Sequence, residues 1–63
     1  MGIEITRDYE VVLKCMLTGE IRRVRRALIE KHITQLEYKL NEGVIENDYK
    51  IIDMYRVIDS GEL

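Results

Sequence analysis

Cys15 and His32 are the two residues of this chain that could act together in nucleophilic catalysis. A thiol that loses its proton to a neighbouring imidazole becomes a nucleophile for carbonyl carbon. The chain contains one cysteine and one histidine, and the sequence indicates neither a third group to orient the imidazole nor a loop for an oxyanion hole. We therefore interpret Cys15 as a small buried thiol on the flank of an apolar helix, and His32 as a structural residue at the edge of the core.

The remaining chemical groups also lack the spacing of a catalytic or metal site. One histidine, one cysteine and scattered carboxylates do not match the clustered ligands of a structural zinc site. The sequence contains no glycine-rich phosphate loop, and its carboxylates form no recognisable acid–base pair. It therefore predicts a protein that is not an enzyme and that binds no metal or cofactor.

The stretch GEIRRVRRALIEKH, residues 19–32, is the most distinctive feature of the sequence. Arg22, Arg23, Arg25 and Arg26 lie within five positions of a chain whose net charge is −2. Residues 37–63 contain more acidic than basic residues, so the charge is polarised along the chain. Such polarity suits a nucleic acid, an acidic protein partner or the opposite end of the same protein.

Helical geometry separates these arginines into two groups. Arg23 and Arg26 each have a glutamate three or four residues away, which could pair with them. On a helix, Arg22, Arg25 and Arg26 project over the same third of the surface, beside an apolar edge. They could contact phosphates with a salt-sensitive affinity, but no aromatic platform or clear helix-turn-helix pattern accompanies them. We predict a partner-binding surface at Arg22, Arg25 and Arg26, with nucleic-acid binding as the alternative.

The residue composition predicts an all-α fold. The chain has no proline and four glycines, and the residues between the glycines are mostly good helix formers. Apolar residues recur at helical spacing in three stretches separated by Gly19 and Gly43. The predicted helices span about 7–18, 20–41 and 46–59. A helix that continues through Gly19 and a break at the capping-box pattern near Thr34 are alternatives that the sequence leaves open.

The short chain length favours self-association. A chain of 63 residues buries too small a fraction of its surface to be strongly stable alone, and one cysteine allows no internal disulfide. We therefore expect residues 1–63 to form a single helical domain, a hairpin or bundle of two or three helices, that dimerises. Apolar residues outside the main helical stripes mark the predicted oligomer interface: Val11, Ile29, Ile33 and Met54.

Residues 36–58, LEYKLNEGVIENDYKIIDMYRVI, resemble the short helical hairpin often called a SHOCT domain. The family pattern is a leucine-spaced helix, then Gly-x-Ile, then a polar pair before an aromatic residue that opens a second helix. The matching positions are Leu36, Leu40, Gly43, Ile45 and Tyr49. Glu46 stands where the family usually has threonine. The resemblance implies a helical hairpin involved in oligomerisation or regulation, with no catalytic residues.

These observations predict a non-catalytic protein–protein interaction or regulatory module that acts as a homo-oligomer. The alternative is a nucleic-acid-binding regulator that uses the basic residues 22–26. No apolar run approaches the roughly 20 residues that cross a bilayer, and the N-terminal residues lack the basic start and apolar stretch of a signal peptide. We therefore expect a cytoplasmic protein that does not bind membranes.

Overall fold

The computed structural model describes residues 5–58, which form a four-stranded antiparallel sheet and one helix. The elements are β1 (Arg7–Cys15), β2 (Ile21–Leu28), α1 (Glu30–Glu42), β3 (Ile45–Glu46) and β4 (Tyr49–Arg56). The sheet is curled into a half-barrel, and its strands lie in the order β2-β1-β4-β3. The helix α1 follows the edge strand β2 and leads to the opposite edge strand β3.

The prediction of an all-α bundle is therefore wrong. The predicted helices over 7–18 and 46–59 are mostly strands, and the first third of the predicted helix 20–41 is also a strand. Residue 59 lies outside the described residues. Each of the three long strands contains two β-branched residues, which pack well on a pleated surface. The second helix that the SHOCT resemblance implies is likewise absent from residues 45–58, which contain β3 and β4.

The two hairpins are closed by turns that need left-handed backbone conformations. Asn47 and Asp48 have φ angles of 51° and 68°, as the two central residues of a type I′ turn require. In the turn between β1 and β2, Gly19 has a φ of 82° and its N–H donates to the carbonyl of Cys15 at 2.7 Å. The N–H of Met16 donates to the carbonyl of Asp48 at 2.7 Å, which joins the two turns at one end of the sheet.

Helix α1 confirms part of the sequence prediction. It ends at Gly43, which has a φ of 68° and a ψ of 35°, and the Gly43 N–H donates to the carbonyl of Leu40. Glycine is favoured there because it adopts the left-handed conformation without a Cβ clash. The break near Thr34, which the sequence left open as an alternative, does not occur, since the helix is continuous from residue 30 to residue 42. The break at Gly19 exists, but it lies in a β-hairpin.

A bulge in β4 adjusts which residues of this strand face the helix. Asp53 lies opposite Val12 of β1, whereas Ile51 lies opposite Leu13, so Ile52 is an extra residue in the ladder. An extra residue changes the alternation of side chains between the two faces of a sheet. The bulge therefore lets both Ile51 and Met54 lie on the same face as α1.

The core lies between α1 and the sheet and is aliphatic. Its buried residues are Val11, Cys15, Leu28, Ile33 and Ile51. Val12 is also buried, but the alternation of β1 places it on the other side of the sheet. Of the predicted interface residues, Val11 and Ile33 are 6% and 7% exposed, while Ile29 and Met54 are half-buried. In this structure Val11 and Ile33 therefore pack inside their own chain and offer little surface to a second one. The helix found in residues 5–58 is too short and too polar to cross a membrane.

Candidate interaction surface

The four arginines of β2 are divided between the two faces of the sheet. Successive residues of a strand point to opposite faces, so Arg22 and Arg26 share one face with Val24, and Arg23 and Arg25 share the other. Val24 and Arg26 line a cleft together with residues of α1, which identifies their face as the helix side. We call the opposite side of the sheet the open face. The structure thus places Arg22 and Arg26 on the same face of the sheet and Arg25 on the opposite face.

The cleft lies between β2 and α1 and has a volume of about 410 Å³. It exists because α1 packs mainly on β4 and only lightly on β2, which leaves a strip of the sheet uncovered. Most of its lining is aliphatic, with Leu13, Val24, Leu36 and Ile51 among the residues that form it. A cavity of this size with apolar walls is typical of sites that receive a ligand or a partner side chain.

One end of the cleft is bordered by a cation–aromatic contact. The guanidinium carbon of Arg22 lies 5.8 Å from the centre of the Tyr49 ring, within the range of an attractive cation–π interaction. Tyr49 itself lines the cleft. Arg22 also lies 3.7 Å from the carboxylate of Glu20, but both side chains are more than half exposed, so this ion pair constrains Arg22 weakly.

The opposite wall of the cleft contains an ion pair, whereas Arg26 has no such partner. Lys39 Nζ of α1 lies 2.9 Å from Glu46 Oε1 of β3, so these two charges largely neutralise each other. Within residues 5–58, Arg26 forms no ion pair. An exposed guanidinium beside an apolar wall therefore gives the cleft a net positive charge at the edge of the sheet.

The open face carries a hydrogen-bonded cluster that spans three strands. One carboxylate oxygen of Glu10 accepts hydrogen bonds from Tyr55 Oη at 2.9 Å and from Arg23 Nη1 at 3.2 Å. These two donors lower the pKa of Glu10, with the hydrogen bond from Tyr55 having the larger effect. The same carboxylate raises the pKa of Tyr55, because it favours the protonated phenol. Arg23 is thus engaged within the chain, while Arg25 forms no ion pair among the described residues.

The backbone of β2 also presents hydrogen-bonding groups at the edge of the sheet. The N–H of Cys15 donates to the carbonyl of Glu20 at 2.8 Å, and the register pairs Leu13 with Arg22. Bonded residues alternate along an antiparallel strand, so even-numbered residues of β2 bond to β1. The odd-numbered residues point their N–H and C=O groups away from the sheet. These residues are Ile21, Arg23, Arg25 and Ala27.

The structure does not bring Cys15 and His32 together. Cys15 is buried, as the sequence predicts, but it lies at the end of β1. A hydrogen bond with the Thr18 hydroxyl, and then the backbone N–H groups of Thr18 and Leu17, lower its pKa. His32 is exposed near the start of α1, which follows the far end of β2. No group of three potential metal ligands occurs among residues 5–58.

Three contributors to this surface are absent from the sequence-based prediction. Tyr49 and Lys39 border the cleft, and Leu13 lines its floor. An alternating pattern could have indicated Leu13, since Tyr9, Val11 and Leu13 recur at every second residue. Tyr49 and Lys39 had no comparable signal, because their positions depend on pairing between distant strands.

No protein-family model, curated protein or solved structure matches this chain.

Proposed function

We propose that this chain is a non-catalytic protein-interaction module that binds an acidic segment of a partner protein at β2 and the adjoining cleft. The observation that carries the proposal is the position of Arg26, which lines an aliphatic cleft beside the edge of the sheet. Apolar area bordered by a guanidinium suits a ligand that has both aliphatic and carboxylate groups, since Arg–carboxylate bonds are directional and strong.

Nucleic-acid binding is the second candidate, and the concentration of arginine in β2 is the observation that favours it. Phosphates that contact Arg23 and Arg25 would approach an open face that also carries Asp8, Glu10 and Asp53. Carboxylates on the same face repel the phosphate backbone. The Tyr55 hydroxyl on that face already bonds to Glu10, and Tyr49 is covered by Arg22. The same carboxylates would also repel an acidic peptide, so the aliphatic cleft, which can receive apolar side chains, is what favours a protein segment over a nucleic acid.

The homo-oligomer predicted from the short chain length remains a proposal, and β2 is not the surface that supports it. If two copies paired antiparallel about Val24, Arg22 would lie opposite Arg26, and Arg23 opposite Arg25. Like charges directly opposite each other destabilise strand pairing. Light scattering at micromolar concentration tests the oligomer: a dimer has twice the 7.5 kDa mass of one chain, whereas the monomer mass would contradict it.

The binding proposal is tested with two labelled probes at about 50 mM salt, where charge interactions are weakly screened. One is the acidic peptide Glu-Val-Glu-Ile-Glu-Val-Glu and the other is a single-stranded oligonucleotide of mixed sequence. Fluorescence anisotropy should show binding of the peptide, and replacing Arg25 and Arg26 together with Ala should weaken it by about tenfold or more. Replacing Lys31 and Arg56 with Ala removes the same charge from exposed positions elsewhere and serves as the control.

The binding results for the two variants and the two probes distinguish the proposed surface from its alternatives. Loss of peptide binding in the Arg25/Arg26 variant, with little change in the Lys31/Arg56 variant, supports the proposed surface. Equal losses in both variants would mean that only net charge matters and would contradict it. Binding of the oligonucleotide but not the peptide would replace the proposal with the nucleic-acid alternative. Circular dichroism of each variant verifies that the fold is retained.

A further inference from the structure

We infer that the acidic segment binds by adding a strand to the free edge of β2, with a pattern of apolar and acidic residues complementary to that strand. This inference rests on the proposed function and specifies the geometry of the contact. It concerns a partner in extended conformation, rather than a helix laid into the cleft. Three observations support this inference. The edge has free hydrogen-bonding groups, its side chains are symmetric about Val24, and its positive charge repels a second copy of the same strand.

The edge of β2 has unused backbone donors and acceptors over its full length. The odd-numbered residues between 21 and 27 direct these groups outward, as the ladder between β1 and β2 requires. Strand β2 has no second neighbour in the sheet of residues 5–58. An extended peptide can therefore form a continuous ladder here, which is the mode of recognition called β-strand addition.

The side chains of β2 specify what the added strand should contain. The sequence from Ile21 to Ala27 reads apolar, Arg, Arg, Val, Arg, Arg, apolar, and it is symmetric about Val24. Cross-strand neighbours interact directly, and opposite charges stabilise the pair. The complementary strand is therefore apolar, acidic, acidic, apolar, acidic, acidic, apolar in either direction. Its central apolar residue would lie beside Val24 over the cleft, and its acidic residues would meet arginines on both faces.

The same arginines exclude the competing occupants of the edge. A second copy of β2 would oppose arginine with arginine, as described above. An uncharged apolar strand would leave Arg25 and Arg26 without carboxylate partners in a contact that removes them from water, which is costly. Arginines at an edge strand thus prevent unselective pairing, while an acidic strand supplies carboxylate partners to Arg25 and Arg26. Charge complementarity therefore selects the acidic partner.

The test compares two peptides of identical composition, each with blocked termini and a fluorescent label. Val-Glu-Glu-Val-Glu-Glu-Ile has the complementary pattern, whereas Glu-Val-Glu-Ile-Glu-Val-Glu would place all its acidic residues on one face of an added strand. Strand addition predicts that the first peptide binds more tightly by about tenfold, because it alone pairs with arginines on both faces. A purely electrostatic contact predicts no such preference. A helical contact would also favour the first peptide, because its apolar residues recur at every third position and share one face of a helix, but it would give the outward-facing amides of β2 no new partners.

Amide hydrogen exchange with the patterned peptide bound gives a residue-specific readout. The amides of Ile21, Arg23 and Arg25 should become protected, because they gain carbonyl partners. The amides of Arg22 and Val24 already bond to β1 and should change little. Arg25→Pro provides a second readout, since it removes an outward-facing donor at an edge position where proline is tolerated. It should weaken binding more than Arg25→Ala, which removes only the side chain.

The outcomes separate this inference from the proposed function. Equal affinity for the two peptides, with no new protection at odd-numbered residues, would overturn strand addition while leaving the acidic-partner proposal intact. Failure of both peptides to bind at low salt would overturn both. Preferential binding of the patterned peptide, together with alternating protection along β2, supports the added strand.

Discussion

Tyr55 donates a 2.9 Å hydrogen bond to Glu10 from the neighbouring strand, across a separation of 45 residues in sequence. Arg23, on the other neighbour of β1, donates to the same carboxylate oxygen at 3.2 Å and lies 3.3 Å from the Tyr55 hydroxyl. The Glu10 side chain is 16% exposed, whereas that of Arg23 is 62% exposed. A carboxylate in the central strand thus links β2, β1 and β4 on the open face.

This cluster predicts a loss of stability in acid. Its hydrogen bonds hold the pKa of Glu10 below the ordinary value of 4.5, so the folded state favours the ionised form. The resulting stabilisation is present above the pKa of the unfolded chain and is lost as the pH falls through the lower, folded-state pKa. Urea unfolding of Glu10→Gln should therefore depend less steeply on pH in this acidic range. Glu42→Gln, at an exposed position, should retain the wild-type slope; parallel slopes for wild type and Glu10→Gln would contradict the prediction.

The hydrogen bond of Tyr55 should make the protein less stable at alkaline pH. The hydrogen bond to Glu10 raises the pKa of Tyr55 above its ordinary value of 10.0, so the folded state favours the neutral phenol. This stabilisation is complete below the pKa of the unfolded chain and is lost as the pH rises through the higher, folded-state pKa. At pH values above the ordinary tyrosine pKa, the free energy of unfolding should fall less steeply with pH in Tyr55→Phe than in the wild type. Tyr38→Phe on α1 should leave this slope unchanged. An unchanged alkaline decline in Tyr55→Phe would be inconsistent with the structure.

The turn between β3 and β4 predicts a stabilising substitution. Asp48 has a φ of 68°, which costs an L-residue free energy that glycine avoids. Asp48→Gly should raise the free energy of unfolding by about 0.5–1 kcal/mol, because asparagine followed by glycine is preferred in type I′ turns. Asp53→Gly in β4 should have the opposite effect, since glycine weakens strand interiors. Thermal unfolding of both variants checks the two signs, and a loss of stability in Asp48→Gly would argue against this turn.

Two neighbouring isoleucines of β4 should differ in how much they contribute to stability. Ile51 is 7% exposed and faces α1, whereas Ile52 is the extra residue of the bulge and is 41% exposed. Ile51→Ala should cost about 2–5 kcal/mol through lost burial and the resulting cavity, enough to unfold much of so small a domain. Ile52→Ala should cost less than half as much. Chemical denaturation of the two variants measures the difference, and similar losses would indicate a different register in β4.

Local conformational preferences explain the parts of the fold that the sequence predicted correctly. Gly43 ends the helix because a left-handed residue at that point satisfies the last carbonyl groups. The helix itself, Glu30–Glu42, lies largely within the predicted span 20–41. Cys15 is buried, as expected of a small thiol in an aliphatic chain. The end of the helix depends on residues close together in sequence, whereas the burial of Cys15 also depends on the pairing of β1 with β4.

The strands were missed because their apolar residues satisfy two periodicities at once. In residues 9–16, which contain most of β1, Tyr9, Val12, Leu13 and Met16 fit the spacing of a helix, whereas Tyr9, Val11, Leu13 and Cys15 fit that of a strand. In β2, Ile21, Val24 and Leu28 fall at helical intervals although the segment is extended. The bulge at Ile52 further obscures the alternation of β4. Pairing between strands stabilises the extended conformation here. The spacing of residues within one segment gives no information about that pairing.

The amino-acid sequence establishes the concentration of arginine in residues 22–26, the aliphatic composition of the core and the termination of the helix at Gly43. It does not establish which arginines share a surface. That depends on the pairing of β2 with β1, because a period of two sends Arg22 and Arg26 to one face and Arg23 and Arg25 to the other, whereas a helix would group them differently. The cleft and the free sheet edge arise from the same long-range hydrogen bonds, which is why the arginines acquire their surroundings only in the folded chain.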